Sequence, residues 1–426
     1  MHVVRPIRFQ RTQRIENEEE KEKMIQVAVF GYGTVGSGVV EVIEKNREMV
    51  NKKSGAELNV KYILDLRDFP GDPYEKKVVH DVDLILNDPE VDIICETMGG
   101  VEPAYTFTKR ALLGGKSVCT SNKELVANHG PELIRLAREN KCNYLFEASV
   151  GGGIPIIRPL NYSLTAERIE AITGILNGTT NYILTKMEQE GADFADVLKE
   201  AQEKGYAEKD PTADIEGYDA CRKIAILSSL MTGRNVKYED IYTEGITRVS
   251  ATDFLYAKKL GRSIKLLAMS REYEDDRTLA MVAPFMIDAD HPLHMVNGVF
   301  NAVFVRGNML GDSMYYGRGA GKLPTASAVV SDVVDCARHM GKTIMCFWDD
   351  EDMKLMPIDD VSHQFFVRIG EKDAARAEEL FGAFEKIKVD GLEDEFALIT
   401  EKMTEKDFSD KAAALGDVRS RIRIAD

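Results

Sequence analysis

Short apolar runs alternate with helical patterns through the first 155 residues. The run from Ile25 to Phe30 is continuous, as in a strand buried on both faces, and the apolar positions from Val39 to Val50 follow a helical period. More short strands are predicted at "VKYIL", "VDIICE", "KSVCT" and "NYLFEAS", with helical stretches such as "PAYTFTKRALLGG" and "PELIRLARENK" between them. This alternation predicts an α/β domain built on a doubly wound parallel sheet.

The pattern changes after this domain. Strands of a second sheet are predicted at "EAITGILNG", "SIKLLAMS", "VFNAVFVRG" and "DSMYYGRGAG", with helices between them, which indicates an α+β domain. The stretch "TASAVVSDVVDCARHM" (325–340) predicts a further helix. From Ser362 onward the order of elements is β-α-β-β-α-β, as in a small, self-contained ferredoxin-like domain.

Composition and charge narrow the class of protein. A chain of 426 residues is too long for one core, so roughly two to four domains are expected. The net charge of −16 argues against nucleic acid and anionic membranes as partners. The six cysteines are widely spaced and form no C-x-x-C pair, and several of them lie in apolar runs, which indicates buried thiols in a reducing cytoplasm. Residues 1–23 lack a signal-peptide core and predict a flexible extension.

Three glycines, Gly31, Gly33 and Gly36, lie between the first predicted strand and a helix. In this context the first allows a tight turn, the second lets the backbone approach a pyrophosphate, and the third allows close helix–strand packing. The sequence therefore predicts a Rossmann-type dinucleotide site, at which the loops 96–100, 120–124 and 147–155 should meet.

The end of the second strand gives two conflicting signals about the cofactor. Asp65 could bind a ribose 2′-hydroxyl, as in NAD enzymes, whereas Arg67 could bind a 2′-phosphate, as in NADP enzymes. Either residue could also be an ordinary surface charge.

The stretch "EGYDACRKIAILSSLM" (216–231) predicts a helix with an unusual core-facing side. Asp219 and Lys223, four residues apart, share a face with Leu227 and Leu230, while Arg222 and Ser229 are expected on the outer face. The pair could be an ion pair at the rim of the core, or it could carry chemistry, since a buried lysine can exchange protons near neutral pH.

Several long motifs resemble those of homoserine dehydrogenases, in the same order. They are "GYGTVGSGVV", "GGVEPAYTFTKRALLGGKSVCTSNKELVANHG", "EASVGGGIPIIRPL", "GILNGTTNYIL", "GYAEKDPTADIEGYDACRK" and "GRGAGKLPTASAVVSDVVD", which together cover about residues 25–345. The resemblance implies NAD(P)-dependent interconversion of L-homoserine and L-aspartate 4-semialdehyde, a step of threonine and methionine biosynthesis.

The resemblance also implies roles for particular residues. Lys223 would be the proton donor and acceptor, with Lys123 beside it. A substrate site would be formed by Glu208, Asp219, Asp214, Thr179, Gly178 and Tyr206, while Asp210 before Pro211 is better explained by turn formation. A cofactor site, with NADP favoured over NAD, would be formed by Gly31, Gly33, Thr34, Val35, Gly36, Arg67, Thr97, Met98, Gly99, Ser121, Lys123, Gly205 and Gly321.

A cation site and a domain division follow from the same resemblance. The loop "EASVGGGIP" would bind a monovalent cation, usually sodium, through the Glu147 side chain and the carbonyl groups of Val150, Gly152 and Ile154. The dinucleotide-binding domain would span 24–155, completed by 322–345, and the catalytic, substrate and dimerisation domain would span 156–321. A homodimer or homotetramer is expected.

The tail, 358–426, resembles an ACT domain, a module that binds small amino acids. The turn after its first strand, "GEKDAAR", lacks the glycine at which a ligand would approach the backbone. Inhibition by threonine is therefore expected to be weak or absent, and removal of the tail is expected to change kcat/KM only a few-fold.

Two other functions are alternatives to this interpretation. A cysteine-dependent semialdehyde dehydrogenase would need a thiolate with a histidine base, for which Cys119 and His129 are the candidates. A non-catalytic NAD(P)-binding sensor of amino acids would need neither Lys123 nor Lys223.

Overall fold

The computed structural model describes residues 24–273 and 277–425. The predicted extension at 1–23 lies outside the described residues. Within them, no helix has the length and apolar character needed to cross a membrane.

The first domain contains a six-stranded sheet in which all strands are parallel, in the order 3-2-1-4-5-6. This is the order of dinucleotide-binding sheets, and it confirms the predicted doubly wound fold. Its elements are β1 Met24–Phe30, α1 Thr34–Lys45, α2 Arg47–Ser54, β2 Glu57–Leu64, β3 Val78–Val79, α3 Val82–Leu86, β4 Val91–Glu96, α4 Ala104–Leu113, β5 Ser117–Thr120, α5 Lys123–Glu139 and β6 Tyr144–Leu145.

Two predicted helices have different bounds in the structure. The pattern from Val39 to Val50 forms two helices, α1 and α2, joined at Asn46. Helix α5 begins at Lys123, eight residues before Pro131, because the Asn122 side chain caps it by accepting a hydrogen bond from Leu125 N. The helix therefore begins within the predicted loop 120–124, which places Lys123 in the first helical turn.

The second region is built on a large mixed sheet. Its elements are β7 Ile169–Ile175, α6 Gly178–Glu190, α7 Phe194–Glu203, α8 Thr212–Ile215, α9 Tyr218–Thr232, β8 Tyr242–Thr243, α10 Ala251–Lys259, β9 Arg262–Glu272, β10 Thr278–Asp288, β11 Phe300–Gly307, β12 Gly311–Arg318 and α11 Lys322–Arg338. The strand β10 was not predicted. Ten of its eleven residues are buried, but Pro284 interrupts the apolar run, and a proline within a run argues against a central strand.

Helix α11 returns to the first domain, as the resemblance implied. Its buried residues Ala326, Val329 and Val333 share a core with Val39 and Val40 of α1. A Cβ on Gly38 would lie 2.9 Å from the Ala326 Cβ, so the two helices cross too closely for a side chain at Gly38.

The last region contains β13 Ser362–Gly370, α12 Ala374–Phe381, β14 Glu395–Ile399, β15 Met403–Thr404, α13 Glu405–Leu415 and β16 Val418–Ile424. The second strand of the predicted β-α-β-β-α-β order, at "KIKVDG" (386–391), is reduced to one antiparallel bridge between Ile387 and Ala397. Counting this bridge as the second strand, the lateral order is 4-1-3-2 and every pairing is antiparallel, which is ferredoxin-like topology.

This region is less separate from the rest than the sequence suggested. Strand β16 pairs in parallel with β10, through Phe285 with Arg423 and Met286 with Ile424, so one sheet runs through both regions. Phe366 and Ile422 lie in the same hydrophobic core as Ile264 of β9. The tail is therefore part of the central sheet and not a self-contained unit.

Candidate active site

The glycine turn after β1 has the geometry that a dinucleotide site requires. Gly31 has a φ of +86°, and a Cβ on Gly36 would lie 1.8 Å from the Gly31 oxygen, so neither position tolerates a side chain. A Cβ on Gly33 would meet nothing within 4 Å, so the turn is open on that side. Helix α1 begins without a side-chain cap, and among the described residues the amides of Thr34, Val35 and Gly36 donate to no backbone oxygen. These amides are available to an anion.

A cavity of about 610 Å³ lies beside this turn, at the carboxyl ends of β1 and β2. Its wall is largely apolar, with polar groups at one side, and it is lined by Gly31, Leu64, Asp65, Leu66, Arg67, His80, Asp81, Val82, Met98, Pro103 and Phe107. A pocket of this size and character is suited to the adenosine part of a dinucleotide.

Asp65 and Arg67, the two conflicting candidates, bind each other at the edge of this cavity. The Arg67 Nε and Nη2 atoms each lie 3.0 Å from an oxygen of the Asp65 carboxylate, which also accepts the Tyr32 N–H. The Arg67 guanidinium holds the pKa of Asp65 well below its usual range. The Asp65 side chain is 9% exposed and that of Arg67 is 63% exposed, so Arg67 is the freer of the two.

The loops after β4 and β5 lie next to each other. The Thr97 hydroxyl donates to the oxygens of Phe30 and Gly31, each at 2.9 Å, which ties this loop to the glycine turn. The Ser121 amide donates to Glu96 O. Of the predicted residues here, Thr97, Met98 and Ser121 are half-buried and Gly99 is exposed, so all four lie at the surface of this edge.

The face of α9 that carries Asp219 and Lys223 is buried. Gly217 begins the helix with a φ of +84°, and Asp219 and Lys223 follow with exposures of 6% and 8%. The Lys223 Nζ donates to Asp219 Oδ2 at 2.6 Å and to Leu176 O at 2.7 Å. Leu176 follows the last residue of β7, so the lysine spans from α9 to the sheet.

Lys123 reaches the same carboxylate from the first domain. Its Nζ lies 2.9 Å from Asp219 Oδ1, so Asp219 lies between two lysines. Burial acts to raise the pKa of Asp219, but the charges of Lys223 and Lys123 hold it well below its usual range. In turn the charge of Asp219 raises the pKa of Lys123. The Asp219 carboxylate therefore forms ion pairs with both lysines at once.

Asn177 is a polar residue of this site that the sequence analysis did not single out. Its Nδ2 donates to Asp214 Oδ1 at 2.6 Å and to Asp219 Oδ2 at 2.8 Å, while its Oδ1 caps α6 by accepting from Thr180 N. Burial and the nearby charge of Asp219 raise the pKa of Asp214. The motif "LNGTT" could have identified Asn177, because an asparagine directly before a helix is a common N-cap.

The remaining predicted substrate residues lie around α6 and the segment after α7. Gly178 begins α6, and the Thr179 hydroxyl donates to Tyr206 O at 2.6 Å. Tyr206 is half-exposed and packs edge-on against Tyr182, and Gly205 before it has a φ of +72°. Glu208 is exposed, and within the described residues its carboxylate forms no hydrogen bond or ion pair with the lysine cluster. Asp210 accepts hydrogen bonds from Thr212, as turn formation predicted.

The loop after β6 is built around Glu147. Its carboxylate accepts three backbone N–H groups, from Ile156 at 2.6 Å, Ile157 at 3.0 Å and Arg158 at 2.6 Å. Among the described residues, the carbonyl oxygens of Val150, Gly152 and Ile154 accept no hydrogen bond from the backbone. The Glu147 side chain thus supports the loop, and the three carbonyl groups are among those of the loop that no backbone donor occupies. Gly321, the last predicted cofactor residue, begins α11 with a φ of +118°.

One expectation from the sequence is wrong, and the alternative function that required a cysteine nucleophile is not supported. Ser229 does not face outward: it is fully buried, its hydroxyl donating to Ala225 O and accepting from Val236 N. Cys119 cannot serve as a nucleophile, because it is fully buried 3.6 Å from Cys336 and burial raises the pKa of its thiol well above the usual value. His129 instead stacks on Tyr105.

A dinucleotide turn on a parallel sheet, with a buried acid and two lysines beyond the carboxyl ends of its strands, defines an NAD(P)-dependent oxidoreductase of the Rossmann class. Residues 31–147 match the family model described as homoserine dehydrogenase, NAD binding domain, and residues 155–334 match the model described as homoserine dehydrogenase. The chain belongs to the homoserine dehydrogenase family, whose enzymes oxidise a CH–OH group with NAD(P).

Relatives and solved structures agree with this assignment. The chain is 40% identical to the homoserine dehydrogenase of Bacillus subtilis over 419 residues, 93% of this chain and 96% of the relative, and 45% identical to that of Synechocystis over 351 residues, 81% and 79% respectively. It is similar to the crystal structure of a homoserine dehydrogenase from Thiobacillus denitrificans, with a TM-score of 0.88 and 37% identity over 95% of this chain and 99% of that one. A Staphylococcus aureus homoserine dehydrogenase gives a TM-score of 0.78 at 33% identity, over 95% and 99%.

Proposed function

We propose that Lys223 transfers the proton when L-homoserine and L-aspartate 4-semialdehyde are interconverted. The observation that carries this proposal is the burial of its Nζ between Asp219 Oδ2 and Leu176 O. The hydride is accepted or supplied by the nicotinamide cofactor when it is bound. In the reducing direction, protonated Lys223 donates its proton to the aldehyde oxygen. In the oxidising direction, neutral Lys223 removes the proton of the hydroxyl group.

The same proposal divides the acids between two tasks. Asp219 is already bound by Lys223, Lys123 and Asn177, so its main task is to hold the two lysines near the reacting oxygen. The exposed Glu208 and the half-buried Asp214 supply negative charge for the substrate ammonium, and Gly178, Thr179 and Tyr206 would line the substrate pocket beside them. An ammonium next to Asp214 would favour its charged form.

For the cofactor we propose NADP with NAD tolerated. An exposed guanidinium can bind a 2′-phosphate bidentately, and Arg67 stands at the edge of the 610 Å³ cavity. Gly31, Gly33 and the amides of Thr34, Val35 and Gly36 would hold the pyrophosphate, and Gly205 and Gly321 would approach the nicotinamide end. One relative of known structure, a hyperthermophilic archaeal homoserine dehydrogenase with a TM-score of 0.63 and 31% identity over 74% of this chain and 97% of that one, is a complex with NADPH.

We also propose a monovalent cation, sodium in the first instance, on the loop 147–155. The carbonyl groups of Val150, Gly152 and Ile154 suit a hard cation, which prefers oxygen ligands. The buried Glu147 carboxylate would balance its charge from behind the loop. Among the described residues, no three His, Cys, Asp or Glu side chains form a cluster for another metal.

The remaining proposals concern organisation. The domain boundaries given above from the sequence stay a proposal, as does a cytoplasmic location. We propose a homodimer or homotetramer formed at β12, the edge strand of the large sheet, where Met314 and Tyr316 are half-exposed and the preceding turn exposes Met309 and Leu310. For the ACT-like tail we propose a structural role without a threonine sensor.

One assay tests the central proposal. Purified protein is supplied with homoserine and either NADP or NAD, and the reduction of each is followed side by side. Homoserine-dependent reduction in the wild type, and its loss in Lys223→Met with normal cofactor binding, is the expected result. Equal rates in wild type and variant would refute the role of Lys223.

A further inference from the structure

A fully buried carboxylate lies beneath the active-site loops and has no part in the chemistry described so far. Glu96, the last residue of β4, is 0% exposed. Its Oε2 accepts a hydrogen bond from the Thr120 hydroxyl at 2.5 Å, and its Oε1 accepts one from Met98 N at 2.8 Å. A buried carboxylate lowers stability unless such partners compensate it. Its position at the carboxyl edge of the sheet therefore calls for a functional explanation.

The contacts of Glu96 on one side lead to Lys123. The Thr120 hydroxyl oxygen that faces Glu96 also accepts the Asn122 N–H at 2.9 Å. Asn122 caps α5 through its Oδ1, and its Nδ2 donates to Gly100 O at 2.7 Å. Lys123 is the first residue of that helix. The carboxylate thus fixes the point from which the Lys123 side chain extends to Asp219.

The contacts on the other side lead to the glycine turn. Glu96 holds the backbone of Met98, and Thr97 between them donates to the oxygens of Phe30 and Gly31. A continuous series of hydrogen bonds and adjacent residues therefore joins the turn for the cofactor phosphates to the Lys123–Asp219 ion pair.

We infer that Glu96 is a positioning residue that holds Lys123 against Asp219 and links the placement of this lysine to the glycine turn. The inference rests on the proposed role of Lys123. A carboxylate is suited to this task because both of its oxygens accept hydrogen bonds. A glutamine of the same shape has one acceptor and one donor group, so it would leave either Met98 N or the Thr120 hydroxyl without its acceptor.

The test compares three variants of the full-length chain at about pH 8, where Glu96 is ionised and both of its oxygens accept hydrogen bonds. Glu96→Gln removes one acceptor, and Thr120→Val removes the intervening hydroxyl while keeping the β-branched shape. Asp92→Asn is the matched control, because it removes a carboxylate that accepts Gln26 N at the opposite end of the same strand. The measurements are kcat, KM, the cofactor Kd, the melting temperature, and the rate at which Lys123 is acetylated by limiting acetic anhydride, read by mass spectrometry.

We expect kcat to fall about tenfold or more in Glu96→Gln and in Thr120→Val, with the cofactor Kd changed less than about threefold, the pattern of a misplaced catalytic group. Lys123, released from Asp219, should be acetylated faster in both, and the double variant should lose no more activity than the worse single variant. Asp92→Asn should match the wild type.

Unchanged kcat and Lys123 reactivity in both variants, with or without a lower melting temperature, would overturn the inference and leave Glu96 a structural residue. If Glu96→Gln does not fold, Thr120→Val decides alone. Lys123→Met separates this inference from the proposed function: normal turnover there refutes the role of Lys123 itself. Loss of turnover in Lys123→Met beside a fully active Glu96→Gln refutes the positioning role only.

Discussion

Lys123 and Asp219 form an ion pair that joins the two sheets, with the Lys123 Nζ 2.9 Å from Asp219 Oδ1. The lysine begins a helix of the first domain, and the acid lies on α9 of the second region. A second contact, between Arg222 and Glu124 at 3.4 Å, joins the same two helices. The lysine cluster is therefore complete only when the two regions are packed together, so a shift of either helix would separate it.

Replacement of Lys223 by methionine should leave the fold and cofactor binding intact and lower kcat at least about 100-fold, because methionine has similar length but cannot transfer a proton. Steady-state rates in both directions and the cofactor Kd measure this. Lys259→Met, an exposed lysine of α10, serves as the control and should retain full activity. A Lys223→Met enzyme with a kcat near that of the wild type would exclude the lysine as the acid–base group.

Glu208→Gln and Asp219→Asn should have different kinetic signatures. Glu208 is exposed and makes no ion pair with the cluster, so its loss should raise KM for homoserine while kcat changes little. Asp219 holds both lysines, so its loss should lower kcat as well, by about tenfold or more. Initial rates over a range of homoserine concentrations separate the two effects. A normal KM in Glu208→Gln would place the ammonium site elsewhere.

Arg67→Ala should weaken NADP binding about tenfold or more and affect NAD binding less, because a guanidinium pairs bidentately with a phosphate. In the wild type, Arg67 must leave Asp65, or share it, to bind the 2′-phosphate. Cofactor titrations with NADPH and NADH measure the selectivity. An equal loss for both cofactors would mean that Arg67 does not contact the 2′ position.

Removal of the chain after Pro357 should lower the melting temperature by at least about 5 °C, because the tail is not the self-contained unit that the sequence predicted. The cut removes β16 from β10 and leaves the fully buried Asp253 without Arg368, its partner at 3.2 Å. A buried charge without its partner is strongly destabilising. Scanning calorimetry of both chains measures the change.

A point variant tests the same packing in the full-length protein. Arg423→Met, which breaks the contact with Glu244 at 2.7 Å, should also lower the melting temperature. A truncated chain of unchanged stability and kcat/KM would show that the tail is independent after all.

Stability should depend on pH through Glu96. Burial raises the pKa of Glu96 to about 7, although the hydrogen bonds from Thr120 and Met98 act to lower it. Its value in the unfolded chain is about 4.3, so between these pH values the folded state holds a proton that the unfolded state has lost. The free energy of unfolding contributed by this group therefore falls as pH rises from about 4 to 8, by on the order of 3 kcal/mol.

Urea unfolding of wild type and Glu96→Gln across this pH range measures that contribution. The free energy of unfolding of Glu96→Gln should increase relative to that of the wild type as pH rises. Tyr144, the neighbouring titratable group, stays neutral throughout, because burial raises the pKa of its hydroxyl. A difference that is independent of pH would show that Glu96 does not titrate in this range.

The sequence by itself determined the elements whose signals are local. The glycine turn, the parallel sheet, the helix that carries Asp219 and Lys223 and the motifs of the family could all be predicted, because turn glycines and apolar periodicity depend on near neighbours in the chain. Strand β10 was missed because Pro284 interrupts its apolar run, and Asn122 was missed although its signal as a helix cap is local.

Only the tertiary structure decided which charges meet. Asp65 and Arg67 stand two residues apart, but nothing in their order shows that they bind each other, and Lys123 and Asp219 are brought together by the packing of α5 on α9. The same holds for β16, which joins β10 although more than a hundred residues separate them. The contacts of Lys123 with Asp219 and of β16 with β10 are long-range. Their geometry depends on how whole helices and strands pack, and apolar periodicity carries no information about the partner of a charged side chain.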